Sequence, residues 1–391
     1  MKNIIFKTLI FSVFFALNGV SQEIKPFITA RVDTSKVAVK EVYHLYKNYW
    51  NSRPDSLLPN PYWNHEKNVK AKSKKLEMDN SINWTFDTVE FGKAYFDVYK
   101  PTILQIDSIA KNRYQIKTLF QYNGSEKEFE IHKTIAITKL YAVRDSKGFF
   151  KLENVRDYDT RNWKRYKFDF ITYIVHPDSK FRKEEAKRAI AFCKKISNML
   201  GIKIIPFDFY ILPNSDEYGK LLNLDYSTGT ASFHDNAVWN SFNAANYPHE
   251  LVHILFLNDK RYFKSDKTQI IVEGIPTWLA GPGFGETLDT SLRDIVSKAF
   301  QKRENITLEE IINKNFRLDF NNDILYTTGG VICKMVYEKC GKKGIWELLA
   351  ADDSTFKSVV SKLMEMPFET FEQKVIAYIK NYAPEKETLK H

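Results

Sequence analysis

Tyr247-Pro248-His249-Glu250-Leu251-Val252-His253 and, 20 positions beyond the second His (273 − 253), Glu273 decide how this chain is read. Histidines at i and i+4 lie on one helix face, one turn apart, so both rings can reach a single metal ion. For zinc the nitrogen–metal distance is about 2.0–2.1 Å. Glu250, beside them, can take a proton from a water held at that ion. Glu273, on a following helix, can supply a third ligand and leave the fourth position open, as in catalytic rather than closed structural zinc sites. The plain alternative is an amphipathic helix with two incidental His. Against it stand the apolar flank Ile254-Leu255-Phe256 and the setting of Glu273 within Ile270-Ile271-Val272-Glu273-Gly274-Ile275. A carboxylate is costly to bury there unless it is paired or metal-bound.

These two segments, the second continuing as Pro276-Thr277-Trp278-Leu279-Ala280, resemble the zinc-ligand helices of gluzincin metallopeptidases: the thermolysin-like and aminopeptidase-like enzymes and the bacterial peptidase MA-like domains. The resemblance covers roughly residues 168–380. It implies one Zn²⁺ per chain, with His249, His253 and Glu273 as ligands and Glu250 as general base. Asn236-Ala237-Val238-Trp239 is similar to the edge-strand segment of thermolysin, which implies that Asn236 and Ala237 pair with an extended substrate backbone. It also implies a Tyr or His near the developing oxyanion. Tyr326, opening the helix that continues Thr327-Thr328-Gly329-Gly330, is the first candidate and His234 the second. The chain departs from the family in three places. Thr277 stands where thermolysin-like enzymes carry an Asp, the Gly-x-Met-x-Asn strand of the aminopeptidase branch is missing, and Pro276 is expected to kink or end its helix.

Residues 1–21 read as a signal peptide: Lys2 and Lys7, an apolar run from Thr8 to Leu17, then Asn18-Gly19-Val20-Ser21 before Gln22. Ten apolar residues are too few to span a bilayer, which needs about 20. The expectation is therefore an exported protein, periplasmic or secreted, with no transmembrane segment in the mature chain. Net charge is +10, or +8 once Lys2 and Lys7 are removed, and it is spread evenly. With no basic block interleaved with aromatics, nucleic acid is not an expected partner. Three cysteines, Cys193, Cys333 and Cys340, give no disulfide framework, so stability must come from packing. Their number is odd, and Cys193 falls on the apolar stripe Ala186, Ala189, Ile190, Ile196, Leu200.

The expected fold class is α+β in two parts. An N-terminal α+β module, 22–160, opens with a helix over 36–50 whose apolar positions are 39, 42, 43, 46, 49 and 50. Strands follow at 102–109, 113–122, 128–143 and 149–154, separated by turn signals, as in an antiparallel meander. Helix then curved sheet resembles the cystatin-like or nuclear-transport-factor-2-like roll by element order alone. A charged stretch, 156–167, is expected to connect it to a gluzincin-like domain, 168–383. There strands are expected at 168–175, 204–212 and 229–240, and helices at 183–200 and 216–224. The zinc helix follows, then helices at 265–280, 288–303, 307–314, 326–340, 343–351, 355–364 and 368–381.

The expected activity is zinc-dependent hydrolysis of a peptide or protein substrate. Two alternatives stay open: a non-catalytic peptide- or ligand-binding protein on a metallopeptidase scaffold, and a zinc hydrolase of a non-peptide amide.

Overall fold

A computed structural model describes residues 25–52, 60–64, 99–122, 136–225, 231–234, 236–257, 259, 268–296, 299–300, 306–312 and 321–382. The expected signal peptide, 1–21, lies outside them. The described chain is α+β, with helices and two five-stranded sheets.

Helix α1, Val37–Asn51, buries Val39, Val42, Tyr43, Tyr46, Tyr49 and Trp50, the stripe anticipated from spacing. It lies against a sheet of strands β1 (Phe27–Ile28), β2 (Tyr99–Ala110), β3 (Arg113–Tyr122), β4 (Ala136–Arg144) and β5 (Phe150–Glu153), in that order. Strands β2 to β5 form the antiparallel meander, while β1 pairs with β2 in parallel. Arg113 and Glu153 form a largely buried ion pair at 2.9 Å inside this part.

The stretch 156–167, expected to be a polar connection, is structured. It holds a single helical turn, α2 (Arg156–Asp159), and strand β6 (Lys164–Phe168), which pairs antiparallel with β7 (Ile171–Val175). The single strand expected over 168–175 is thus the second arm of a hairpin. Asp169, in its two-residue loop, takes a left-handed φ of 55°, which Asp tolerates better than most residues.

After helix α3 (Lys183–Leu200) come β8 (Phe207–Ile211), α4 (Ser215–Leu221), β9 (Ala231–His234) and β10 (Ala237–Asn240). The second sheet runs β6-β7-β8-β10-β9, with β7, β8 and β10 parallel and the outer strands antiparallel to their neighbours. The segment after α4 ties this sheet to the first. Lys139 N–H donates to the Asn223 carbonyl at 2.7 Å, and Asp225 N–H donates to that of Ile137 at 3.0 Å. Asn223 is fully buried, has a φ of 64° and accepts from Val155 N–H through its side chain.

The rest is helical: α5 (Pro248–Leu257), α6 (Gln269–Ala280), α7 (Leu288–Ser291), α8 (Leu308–Ile312), α9 (Asn321–Leu349), α10 (Phe356–Met364) and α11 (Phe368–Lys380). The two helices expected at 326–340 and 343–351 are both present within α9, separated at Gly341, whose φ of 61° and ψ of −156° are not helical. Pro276 does not end its helix. α6 runs on to Ala280, with Gly281 N–H closing onto the Thr277 carbonyl at 2.8 Å. One core joins α3, α5, α6 and α9 to the inner face of the second sheet through Phe209, Val238, Leu251, Ile271 and Val331. Cys193 and Cys333 are buried in it as free thiols. No helix among the described residues is long and apolar enough to cross a membrane.

Candidate metal centre

Helix α5 starts where its sequence allows. Pro248 takes the first turn, where a missing N–H is harmless, and Leu251 N–H reaches back to the Tyr247 carbonyl at 3.1 Å. Every residue from His249 to Phe256 is buried, so the two histidines face protein rather than solvent. Helix α6 brings Glu273 across them. A third helix, α9, meets α6 at glycine: a Cβ on Gly274 would stand 2.5 Å from the Gly329 backbone. One on Gly329 would stand 1.9 Å from the Ile270 carbonyl oxygen. No side chain fits between these helices. Their contact carries Tyr326, one turn before Gly330, up to the ligand cluster.

Three ligand atoms meet there. His249 Nε2 and Glu273 Oε2 are 3.3 Å apart, His253 Nε2 and Glu273 Oε2 3.3 Å, and the two Nε2 atoms 3.3 Å. In a regular tetrahedron the edge is about 1.6 times the centre-to-corner distance, so this triangle is one face around a centre about 2.0 Å from each atom, the distance of a zinc–nitrogen or zinc–carboxylate bond. Donor type, spacing and burial therefore fit a divalent cation with one remaining coordination position.

The tautomer fits as well. The other ring nitrogen of His249, Nδ1, lies 2.7 Å from the Gly281 carbonyl oxygen. A carbonyl only accepts, so Nδ1 carries the hydrogen and Nε2 offers a lone pair. Gly281 follows the last residue of α6 with φ 93° and ψ 164°, a conformation essentially reserved for glycine. Thr277 turns its hydroxyl back to the Glu273 carbonyl at 2.7 Å. His249 is oriented by a main-chain group that no reading of side chains would find. The signal was the run Gly281-Pro282-Gly283 just past the helix end, a place where glycine and then proline stop a helix.

Charge is arranged to match. Burial alone would raise the Glu273 carboxyl, but His253 and His249 outweigh it and hold the group well below the usual carboxylate range. Burial would lower His253, yet Glu273 and Glu250 overcome it and raise the ring. The carboxyl of Glu250 moves the other way. Burial pushes it up and Glu273 adds to the rise, against the pull of both histidines. Two imidazoles and two carboxylates thus share one buried space in which a divalent cation would balance the charge. The Tyr326 hydroxyl is pushed up chiefly by burial, with Glu273 and Glu250 beside it and a hydrogen bond to Glu273. Its ring lies 5.9 Å from that of His249, at 16°. His249, His253, Glu273, Glu250 and Tyr326 are accordingly gathered in one place.

Asn236 and Ala237 are not gathered there as expected. Asn236 occupies the β9–β10 turn with φ 57°, and its side chain donates to the Pro206 carbonyl at 2.9 Å. Ala237 is buried in β10, which is hydrogen-bonded to β8 on one side and β9 on the other. A strand paired on both sides has no edge to offer a peptide; among the described residues the edge strands of this sheet are β6 and β9. The strand expected over 229–240 is in fact a hairpin. His234, the second oxyanion candidate, ends β9, and its side chain lies outside the described part. Tyr247 opens the motif segment, but its spacing assigned it no role. It is buried beside the site, its hydroxyl pushed up by burial and by Glu250, Glu286 and Glu273.

No family model matches the chain, and no curated protein is similar to it.

Proposed function

We propose that this chain is a zinc-dependent metallopeptidase of gluzincin type, hydrolysing a peptide bond. The observation that carries the reading is the 3.3 Å triangle of His249, His253 and Glu273 ligand atoms with the buried Glu250 carboxyl beside it. A bound zinc supplies a Lewis acid that polarises the scissile carbonyl and acidifies water. Glu250 accepts the proton of the attacking water and passes it to the amine nitrogen as the C–N bond breaks. Burial raises its basicity, which favours proton acceptance. Tyr326 donates a hydrogen bond to the carbonyl oxygen as charge grows on it. The extended substrate lies along β9, whose outer edge pairs with no other described strand and so can take one up. Under this reading Asn236 and Ala237 shape the hairpin that presents β9 and touch no substrate.

The experiment is to replace Glu250 with Gln. A variant that keeps one zinc per chain and loses peptide cleavage supports the reading. A zinc-loaded Gln variant as active as wild type removes Glu250 as the base.

A further inference from the structure

The mechanism above uses one hydroxyl, yet a second stands at the same place. Tyr247 precedes the first ligand helix, and its ring is 6% exposed. Phe242 and Phe284 hold it edge-on at 5.5 and 5.6 Å. These two come from different loops and stack on each other at 4.4 Å and 11°. The Tyr247 ring lies 6.3 Å from His249, tilted by 30°. A buried tyrosine normally gives its hydroxyl a hydrogen-bond partner. That of Tyr247 makes no hydrogen bond with any described residue, and it is not sealed from solvent. The charges acting on it are the carboxylates of Glu250, Glu286 and Glu273, and it in turn acts on the Tyr326 hydroxyl. The ring is clamped, then, beside the ring of His249, and its hydroxyl has no hydrogen-bond partner among the described residues.

We infer that Tyr247 is a second catalytic hydroxyl, donating a hydrogen bond to the carbonyl oxygen of the bound peptide alongside Tyr326. Two donors on one oxygen make the arrangement known as an oxyanion hole, which stabilises the charge that develops there. A rigid aromatic clamp holds such a donor in position before substrate arrives, so little order is lost on binding. The inference rests on the metallopeptidase reading.

The test uses zinc-loaded full-length protein and acetohydroxamate, a small chelator whose oxygens occupy the reacting position. Its affinity is measured by calorimetry for wild type and for Tyr247→Phe. The variant should keep one zinc and the wild-type near-UV circular dichroism, yet bind acetohydroxamate about tenfold more weakly, equal to about 1.4 kcal/mol. Affinity within twofold of wild type overturns the inference and leaves the zinc site standing. Loss of zinc or of tertiary structure in the variant also overturns it, by making Tyr247 a structural prop. A wild-type protein that takes up no zinc, or takes it up and ignores acetohydroxamate, overturns the metallopeptidase reading together with the inference.

Discussion

Gly281→Ala separates the orientation of a ligand from its presence. The carbonyl of Gly281 is 2.7 Å from His249 Nδ1 and fixes both the tautomer and the angle of that ring. A Cβ at this position would stand 2.3 Å from the Glu286 carbonyl oxygen, 2.6 Å from its carbon and 2.8 Å from Thr287 Cα. All three are main-chain atoms, so no side chain can swing away. Reaching ordinary contact at about 3.4 Å would move the loop by about 1 Å, enough to break the bond to His249. The φ of 93° adds strain of about 1–3 kcal/mol for any residue but glycine. Loss of an outer-shell partner typically weakens metal affinity by about 10–100-fold, equal to about 1.4–2.7 kcal/mol. The expected result is therefore a zinc dissociation constant 10–100-fold higher (roughly) in competition with a chromogenic chelator, along with a lower melting temperature without metal. Gly285→Ala is the control. Gly285 has a φ of 81° but open space around its would-be Cβ, so that variant should lose some stability and keep its zinc affinity. Zinc affinity within twofold of wild type in Gly281→Ala, with the melting temperature lowered, would refute the orienting role of the carbonyl.

Other perturbations have equally definite outcomes. Glu250→Gln should retain stoichiometric zinc while peptide turnover falls by about a thousandfold, within the usual range for removing a general base. Gly329→Ala would place a Cβ 1.9 Å from the Ile270 carbonyl oxygen and force α6 and α9 apart; urea denaturation should show a loss of about 1–3 kcal/mol or more. Asp352 accepts hydrogen bonds from Ser354 and Thr355, which hold its carboxyl down at about 2 from an ordinary 3.8. A depressed carboxylate contributes stability above its unfolded value and loses it as pH falls through the folded one. Asp352→Asn should thus be less stable than wild type at pH 7, with the gap closing between about pH 4 and pH 2 in thermal melts.

Much of the fold was legible because its signals are local. The stripe of α1 and the bounds 183–200 of α3 follow from helical periodicity, and both are present as read. The ligand pair follows from one helical turn, so His249 and His253 needed no tertiary knowledge. Two hairpins escaped for different reasons: β6 is charged and exposed, so 156–167 read as a polar connection, while 229–240 read as one strand. The reversals rest on single left-handed residues, Asp169 and Asn236, inside two-residue loops that each begin with Asp and carry neither glycine nor proline. That error also misplaced the substrate edge, since a run read as one edge strand keeps a free side and β10, paired with β8 and β9, has none. The contact between the Gly281 carbonyl and His249 spans 32 positions and involves no side chain at 281. Neither periodicity nor motif spacing carries such information. The close crossing at Gly274 and Gly329 was equally hidden, because two glycines in separate helices announce a contact only once the helices are packed.

Zinc content of the purified protein, wild type beside Glu273→Ala, tests the central claim most directly. The account predicts about one zinc per wild-type chain, lost or much weakened in the variant, because Glu273 supplies one corner of the ligand triangle. A wild-type protein that binds no zinc even when zinc is added, or a variant that holds it as tightly as wild type, would contradict it.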